Sequence, residues 1–329
     1  MALTLTVDRE RWRQHLAAVR TGYPGLVPVV KGNGYGFGRA YLVEIVAGWA
    51  GEQDGPRELA VGTVHELAGL PVEGPRPIVL TPATAHELVP GVGPAILTVG
   101  RAHHVADLAA TRLRPPVIVK LASPMHRYGV GPDDLSSLLA AATAADLAVH
   151  GFAIHPPLAE AGAPSLEAVL RWVPHLPERS TVYVSHLDAA AYAALVSVAA
   201  DLRWRIRLGT ALWHGDKSCL RLSADVADVQ PVRSGERVGY RQVEVAGDGH
   251  LVMVTAGSAH GVQALPADGD GPTRSPFHFA RRRLDLVEPP HMHTSMVFVP
   301  AGGPVPAVGD QIDVQHPLTR TLVDRIVER

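Results

Sequence analysis

Residues 27–38 read VPVVKGNGYGFG, an apolar run that ends in one lysine and continues with glycine at every second position. This pattern predicts a buried strand that enters a tight loop, where backbone amides can approach a ligand. Lys31 would lie at the carboxyl end of that strand, where desolvation favours the neutral amine, a nucleophile for carbonyl carbon. The alternative is a salt-bridged lysine before an ordinary glycine turn, and the pattern alone does not choose between the two.

Strand-like and helix-like segments alternate up to about Gly215, as in a parallel sheet built from βα units. The candidate helices are residues 39–50, 64–70, 102–110, 133–145, 165–173 and 188–200. The candidate strands are residues 26–30, 58–62, 77–81, 95–99, 116–121, 148–155, 181–185 and 203–208. Eight strands close a (β/α)8 TIM barrel. An open dinucleotide-binding sheet is disfavoured, because no Gly-x-Gly-x-x-Gly follows the first strand with an acidic residue downstream.

The pattern changes after Leu220, where short alternating runs are separated by Gly, Asp and Pro. Residues 249–255, 296–300 and 311–314 are predicted strands, and residues 264–276 are a predicted exposed loop. We therefore expect an α/β chain with a TIM-barrel domain over residues 1–215. A smaller antiparallel β domain would follow over residues 216–329.

The composition is that of an ordinary globular protein, with 329 residues of which 47% are hydrophobic and 19% charged. A net charge of −2 argues against nucleic-acid binding. The single cysteine, Cys219, excludes an internal disulfide and fits a reducing compartment. Charge appears by Asp8 with no basic segment before an apolar run, and the longest apolar stretches are too short to cross a bilayer. A cytoplasmic protein without membrane contact is expected.

Polar or charged residues follow several predicted strands at their carboxyl ends, where the chemistry of a barrel gathers. They are Lys31, Lys120 with Arg127 beyond it, His155, the Ser185-His186 pair and Arg207. One such residue can be a structural ion pair. A whole set at corresponding strand ends requires a shared ligand or network.

The segment VVKGNGYGFG resembles the lysine motif of the alanine racemases, usually VVKANAYGHG, which binds pyridoxal phosphate (PLP). The resemblance implies that Lys31 binds PLP covalently and that Tyr35 contacts its phosphate, while Phe37 replaces the usual histidine. It extends over nearly the whole chain. It also implies an isomerase that interconverts L- and D-amino acids.

Residues 119–129, VKLASPMHRYG, resemble the family segment in which a lysine, often carbamylated, precedes an arginine by seven positions. Arg127 would then bind the phenolic oxygen of PLP and help to hold the substrate carboxylate, and His155 would support it. A carbamate on Lys120 would turn repulsion between two cations into a charge-assisted hydrogen bond. Otherwise Lys120 pairs with an acidic residue.

Residues 205–211, RIRLGTA, resemble the segment whose arginine faces the pyridine nitrogen of PLP, with Gly209 and Thr210 offering amides to the phosphate. Since Arg207 cannot accept the proton of that nitrogen, the ring would be a weak electron sink. A weak sink favours rapid reprotonation over decarboxylation or elimination. The alternative is a structural salt bridge in the barrel.

Residues 235–240, GERVGY, resemble the segment that carries the catalytic tyrosine of the family, which acts from the partner subunit. Lys31 and Tyr240 would be the two bases on opposite faces of the substrate, in a homodimer. The alternative is a strand tyrosine that covers a core. In residues 291–294, HMHT, the amide of Met292 would meet the substrate carboxylate. His291 and His293 lack a third ligand, so no metal is expected.

Three departures from the family pattern predict a wider entrance and an altered phosphate site. Asp188 falls near the position of a phosphate-binding serine, for which Ser185 is a substitute, and residues 257–261, GSAHG, lack a tyrosine. The sequence also ends at Arg329, before the terminal tyrosine of the family, as in a C-terminally shortened member. Alanine is therefore not the expected preferred substrate. Two alternatives remain, namely another reaction of the same PLP fold and a PLP-binding protein with little catalysis.

Overall fold

A computed structural model describes residues 1–52, 55–87, 93–111, 113–158, 163–266 and 273–329. The chain divides into two compact units. The barrel unit comprises His15–Gly32 and Arg39–Gly215, and the β unit comprises Met1–Gln14, Asn33–Gly38 and Asp216–Arg329. The domain boundary expected between residues 215 and 216 stays a prediction. Part of the predicted loop 264–276 lies outside the described residues.

The strands are given in chain order with their bounds. They are β1 (Leu3–Val7), β2 (Leu26–Pro28), β3 (Glu58–Val61), β4 (Arg76–Val79), β5 (Leu97–Val99), β6 (Val117–Lys120), β7 (Val149–Ala153), β8 (Thr181–Val184), β9 (Arg203–Leu208), β10 (Leu220–Val232), β11 (Arg237–Val238), β12 (Val243–Glu244), β13 (Gly249–Val254), β14 (Phe277–Phe279), β15 (Arg282–Arg283), β16 (Asp285–Leu286), β17 (Ser295–Pro300), β18 (Gln311–Val314) and β19 (Arg325–Glu328).

The α-helices follow most of the predicted ranges. They are α1 (Arg9–Gly22), α2 (Arg39–Ala50), α3 (Ala102–Ala110), α4 (Pro132–Ala144), α5 (Ala163–Leu170), α6 (Ala189–Val198) and α7 (Thr210–His214). The helix predicted over residues 64–70 was wrong, because only a 3-10 turn forms at Val64–Leu67. Ala68 leaves helical geometry with ψ 128°, and Gly69 follows at φ 81°. A glycine in that conformation stops a helix.

The barrel unit contains a closed ring of eight parallel strands. Six of them pair in the order β2-β9-β8-β7-β6-β5, and β3 pairs with β4. The parallel bridges Val29–Ala60 and Ile78–Ile96 join the two sheets on both sides. All eight strands predicted from the sequence are present, and the predicted TIM barrel is confirmed. The strands β3 and β6 are buried along their whole length, as expected where helices cover a parallel sheet.

The β unit is built on an antiparallel sheet in the order β15-β14-β18-β10-β13-β17-β16. This confirms the predicted antiparallel β structure. Its core is formed by residues that include Val226, Val252, Val297 and Ile312, all fully buried. β1 joins this sheet, antiparallel to β10 and parallel to β19. The sequence analysis missed β1, although the alternation of Leu and Thr over residues 3–7 is typical of a strand.

Residues 33–38 of the glycine-rich segment pack within the β unit. The Asn33 side-chain amide donates to the carbonyls of Leu318 (2.8 Å) and Thr321 (2.7 Å). Gly36 has φ 88°, and a Cβ there would lie 2.9 Å from the Leu318 carbonyl oxygen. Only glycine combines this backbone conformation with so close an approach. Within the described residues, no helix combines the length and hydrophobicity needed to cross a membrane.

Candidate active site

Lys31 follows β2 at the carboxyl end of the barrel strands and is exposed. The two residues before it continue the strand. Val29 N donates to Leu208 O at 2.9 Å, and Val30 N donates to Ala60 O at 2.8 Å. The indole of Trp213 donates to Val29 O at 2.7 Å. Backbone bonds on both sides therefore hold the strand end from which the Lys31 amine extends.

Glu66 is the acidic residue whose charge acts on Lys31, and the sequence analysis missed it. Its carboxylate accepts hydrogen bonds from Gly32 N at 3.1 Å and Gly62 N at 2.7 Å. Desolvation lowers the pKa of Lys31, the positive charges of Arg127 and Arg207 lower it further, and Glu66 opposes them. The net pKa is below that of an ordinary lysine. A larger fraction of the Lys31 amine is therefore neutral and nucleophilic.

Lys120 ends β6 and is buried, with 6% of its surface exposed. Burial lowers the pKa of its amine well below the usual value, and the charges of Arg207 and Arg127 act in the same direction. Within the described ranges, no carboxylate lies within 4.0 Å of the amine. The acidic partner considered as an alternative is thus not found there.

Arg207 lies in β9, buried at the same end of the barrel, and its Nη2 donates to Ile154 O at 2.8 Å. Burial lowers the pKa of its guanidinium to about 10, which leaves it charged at neutral pH. Arg127 lies on the loop after β6, with its guanidinium carbon 5.0 Å from the centre of the Tyr128 ring. Gly209 and Thr210 follow β9 directly, and Thr210 begins α7.

His155 lies beyond β7 and shares a short hydrogen bond between its Nδ1 and the Ser185 hydroxyl. Its ring centre is 4.4 Å from that of His186. Burial, followed by the charges of Arg207 and Lys120, lowers the pKa of His155 to about 2, so the ring is neutral at physiological pH. Ser185, proposed from the sequence as a substitute phosphate ligand, is already bonded to His155. Asp188 caps α6 by accepting from Ala191 N at 2.8 Å.

The barrel unit thus gathers four basic side chains at one end of the strands, where the charges of the two arginines act on both lysines. They are Lys31, Lys120, Arg127 and Arg207, and Glu66 is the carboxylate whose charge acts on Lys31. Like charges in one partly buried cluster repel one another. An anionic ligand relieves this repulsion, and the donor set suits a phosphate ester or a phenolate.

Tyr240 belongs to the β unit, where its side chain is 86% exposed. Its backbone position is set by Glu288, which accepts from Tyr240 N and Arg241 N, both at 2.9 Å. The Glu288 carboxylate also bonds His291 Nε2 at 2.6 Å, and the His291 ring centre lies 4.5 Å from that of Tyr240. Burial raises the pKa of Glu288, but these hydrogen bonds outweigh it and leave the pKa lowered.

The β unit also holds the other two residues predicted to contact ligands. Tyr35 is buried, with φ 55° in the left-handed region. Met292 is exposed, and its carbonyl accepts from Ala259 N at 2.9 Å. No cluster of three or more His, Cys, Asp or Glu side chains suited to a metal occurs in the described part of the chain. His291 is instead bonded to Glu288.

Two site residues, Glu66 and Glu288, were not identified from the sequence. Glu66 follows β3, and its position after a barrel strand was the available signal. Glu288 precedes His291 by three residues in LVEPPHMH, which is a weak signal because the partners of its carboxylate at residues 240 and 241 are distant in sequence. In both cases the carboxylate binds backbone amides, which no side-chain motif reveals.

Comparison with known proteins assigns the family. The profile described as "Alanine racemase, N-terminal domain" matches residues 7–217. The chain belongs to the alanine racemase family. A search of curated proteins gave no match.

Solved structures of alanine racemases share the fold. The biosynthetic enzyme of Pseudomonas aeruginosa is 21% identical, with a TM-score of 0.68, over 100% of this chain and 99% of that chain. The Bartonella henselae enzyme, solved with covalently bound pyridoxal phosphate, is 20% identical (TM-score 0.70; 97% and 91% covered). The Bacillus anthracis enzyme, with bound L-Ala-P, is 18% identical (TM-score 0.73; 95% and 85% covered).

Proposed function

We propose that this protein is a PLP-dependent amino-acid racemase that works as a homodimer. The observation that carries the proposal is the position of Lys31 at the carboxyl end of the first barrel strand, where desolvation and the charges of Arg127 and Arg207 lower the pKa of its amine. A lysine in such surroundings is suited to covalent attachment of an aldehyde. Membership of the alanine racemase family supports the same assignment.

The residues present fit PLP by the chemistry of their donors. Lys31 would bind the aldehyde carbon, Arg207 the pyridine nitrogen, and Arg127 the phenolic oxygen. Tyr35 and the amides of Gly209 and Thr210 would bind the phosphate, and His155 would support Arg127. When bound, PLP supplies an electron sink that makes the substrate α-proton acidic.

Lys31 and Tyr240 would act as the two bases, one on each face of the substrate α-carbon. The lowered pKa of Lys31 makes its amine easier to deprotonate than that of an ordinary lysine, as a base that takes up and returns a proton requires. Tyr240 would come from the partner subunit, and its high exposure within its own chain is consistent with that role. Met292 and Arg127 would hold the substrate carboxylate.

Arg207 supports racemisation over the other reactions of this fold. Its guanidinium stays charged at neutral pH and cannot accept a proton, so a ring nitrogen facing it would remain unprotonated. The substrate would then return quickly to the protonated state instead of losing carbon dioxide or a leaving group. His155, neutral and bonded to Ser185, adds no further positive charge to the cluster.

We also propose that Lys120 is carbamylated. A buried amine of lowered pKa, without a carboxylate partner among the described residues, is suited to react with carbon dioxide. The resulting anion would lie near Arg127 and Arg207 and offset their charges. Carbon-13 NMR of protein exchanged with labelled bicarbonate should show a carbamate resonance that is absent in Lys120→Ala.

Racemisation is tested by incubating single enantiomers with the PLP-loaded protein in deuterium oxide. We expect deuterium at the α-position together with inversion for at least one amino acid. Exchange without inversion would indicate another reaction of a PLP enzyme. Absence of both would indicate a PLP-binding protein with little catalysis, and either result would overturn the proposal.

The homodimer is tested by subunit complementation. Lys31→Ala and Tyr240→Phe each remove one of the two proposed bases. In a heterodimer formed by mixing them, one site would hold both intact residues if Tyr240 acts across the interface. Random exchange of subunits would restore about a quarter of the wild-type sites. If the mixture stays as inactive as each variant, Tyr240 does not act from the partner subunit.

A further inference from the structure

A cavity of about 470 Å³ in the barrel unit lies against the loop that carries Arg127. Its lining includes Arg101 before α3, Arg171 and Trp172 after α5, and Tyr128 of the same loop. The volume is in the range of small-molecule sites. The roles assigned above involve only Arg127 of this lining.

The loop forms a rigid wall. Ala122 N donates to Val130 O at 2.9 Å, and the indole of buried Trp172 donates to Ala122 O at 2.9 Å. The Ser123 hydroxyl donates to His155 O at 2.8 Å. Gly129, at φ 125°, has no room for a Cβ, which would lie 2.5 Å from the Leu121 carbonyl. These bonds fix one wall of the cavity and join it to the His155 region of the barrel.

The charged side chains that line the cavity in the described part of the chain are all basic. Arg101, Arg127 and Arg171 line it together with His126, and none of its described lining residues is acidic. Asp133 and Asp134, which open α4 next to the lining residue Pro132, do not line it. Guanidinium groups stay charged and bind carboxylates and phosphates in a bidentate manner. A set of three arginines around one cavity therefore selects an anion and rejects a cation.

We propose that this cavity binds the side chain of the amino-acid substrate, and that the substrate class is amino acids whose side chain ends in a carboxylate or a phosphate. The inference rests on the proposed racemase function. Arg127 links the two regions, since it lines the cavity and lies on the loop that follows Lys120 and is bonded to His155 O through Ser123. With the α-carboxylate at Arg127, the side chain extends towards Arg101 and Arg171.

The charge also provides discrimination against basic amino acids. A lysine or ornithine side chain in the cavity would meet three guanidinium groups without a carboxylate among the described lining residues. Specificity of this kind rests on repulsion of the wrong ligand as much as on attraction of the right one. The methyl side chain of alanine carries no charge and no hydrogen-bonding atom, so it gains nothing from these arginines.

The first test measures binding without turnover. Glutarate is titrated by calorimetry into the full-length protein after incubation with PLP, and cadaverine serves as the cationic counterpart. We expect saturable binding of glutarate only, weakened about 100-fold in the double variant Arg101→Gln/Arg171→Gln, since two charge-assisted contacts are lost. The matched control is Arg57→Gln, an exposed arginine before β3 at the other end of the barrel strands. Equal affinity in the double variant and the wild type would overturn the anion site.

The second test concerns the substrate side chain. The ratio of kcat/KM for glutamate or phosphoserine to that for alanine should fall at least about tenfold in Arg171→Gln, and stay constant in Arg57→Gln. An unchanged ratio despite weakened glutarate binding would mean that the cavity holds a free anion, which overturns the substrate assignment. If no amino acid is turned over at all, the racemase proposal fails, and the glutarate titration still decides the anion site.

Discussion

The two regions that hold the proposed bases differ in how they treat a buried charge. In the barrel unit, Lys120 and Arg207 are buried with no carboxylate in contact among the described residues. Burial lowers the pKa of both, and the charge of Arg207 lowers that of Lys120 further. In the β unit, the buried charge is Glu288, which is bonded to two backbone amides and to His291. A set of buried like charges lowers the stability of the fold unless a ligand of opposite charge binds to it. A buried carboxylate that is fully hydrogen-bonded needs no such ligand. We therefore expect the barrel cluster to bind an anionic ligand, whereas the Glu288 cluster fixes the backbone that carries Tyr240.

The largest effect is expected from removing the amine in the barrel. Lys31→Ala should abolish the visible absorption of bound PLP and all α-proton exchange, because no other amine occupies that strand end. Borohydride reduction and peptide mass spectrometry locate the adduct among the three lysines of the chain. Lys217→Ala, an exposed lysine of the β unit, is the control and should retain the adduct. A PLP adduct on Lys120 or Lys217 would contradict the assignment.

The second effect concerns the exposed tyrosine of the β unit. Tyr240→Phe should lower racemisation by roughly 10²–10⁴-fold, the usual contribution of a general acid or base. Exchange should persist on the enantiomer whose proton faces Lys31, so the two enantiomers become unequal in deuterium uptake. Tyr23→Phe, which loses only a 3.4 Å contact to Leu187 O, serves as the control. Equal loss of exchange from both enantiomers would rule out a separate base on each face.

The third prediction concerns Glu288, which holds the backbone of Tyr240 in the β unit but has no proposed role as a base. In Glu288→Gln, the side-chain NH2 group replaces one carboxylate oxygen and faces a backbone N–H, so one donor is left without an acceptor. This change should destabilise the protein by about 1–3 kcal/mol. Because the pKa of Glu288 is lowered in the folded state, its contribution is complete above its ordinary value of 4.5 and is lost as the pH falls below it. Urea unfolding of the wild type and Glu288→Gln should therefore converge in acid. Glu236→Gln, an exposed acceptor from Arg233 N, should change little at any pH.

At neutral pH the smallest effect is expected from the neutral histidine of the barrel, because its contribution changes only in acid. Between its ordinary pKa of 6.5 and about 2, His155 takes up a proton only when the chain unfolds. Its contribution to the free energy of unfolding thus decreases by about 1.4 kcal/mol for each pH unit below about 6.5. His155→Gln keeps a partner for Ser185 but should remove this slope in urea unfolding across the acidic range. An unchanged slope would show that His155 is protonated in the folded state.

Local patterns were enough to locate the barrel strands and to place Lys31, Lys120 and Arg207 at their carboxyl ends. Apolar runs of strand length, bounded by Gly and Pro, carry their own signal, so all eight strands were found. Lys31, Lys120 and Arg207 could be placed because a parallel barrel brings the ends of its strands to one side. The helix predicted over residues 64–70 was wrong. The periodic pattern of side chains there does not reveal that the backbone leaves helical geometry at Ala68.

The sequence by itself determined where the barrel strands lie along the chain, that Lys31 follows the first of them, and membership of the alanine racemase family. Each of these depends on residues that are near one another in the chain. Only the tertiary structure decided which charges meet. Glu66 reaches Gly32 across 34 residues, and Glu288 reaches Tyr240 across 48. The pairing of β1 with β10 and β19 also joins distant segments. A pKa depends on burial and on charges from remote segments, and these are known only once the chain has folded.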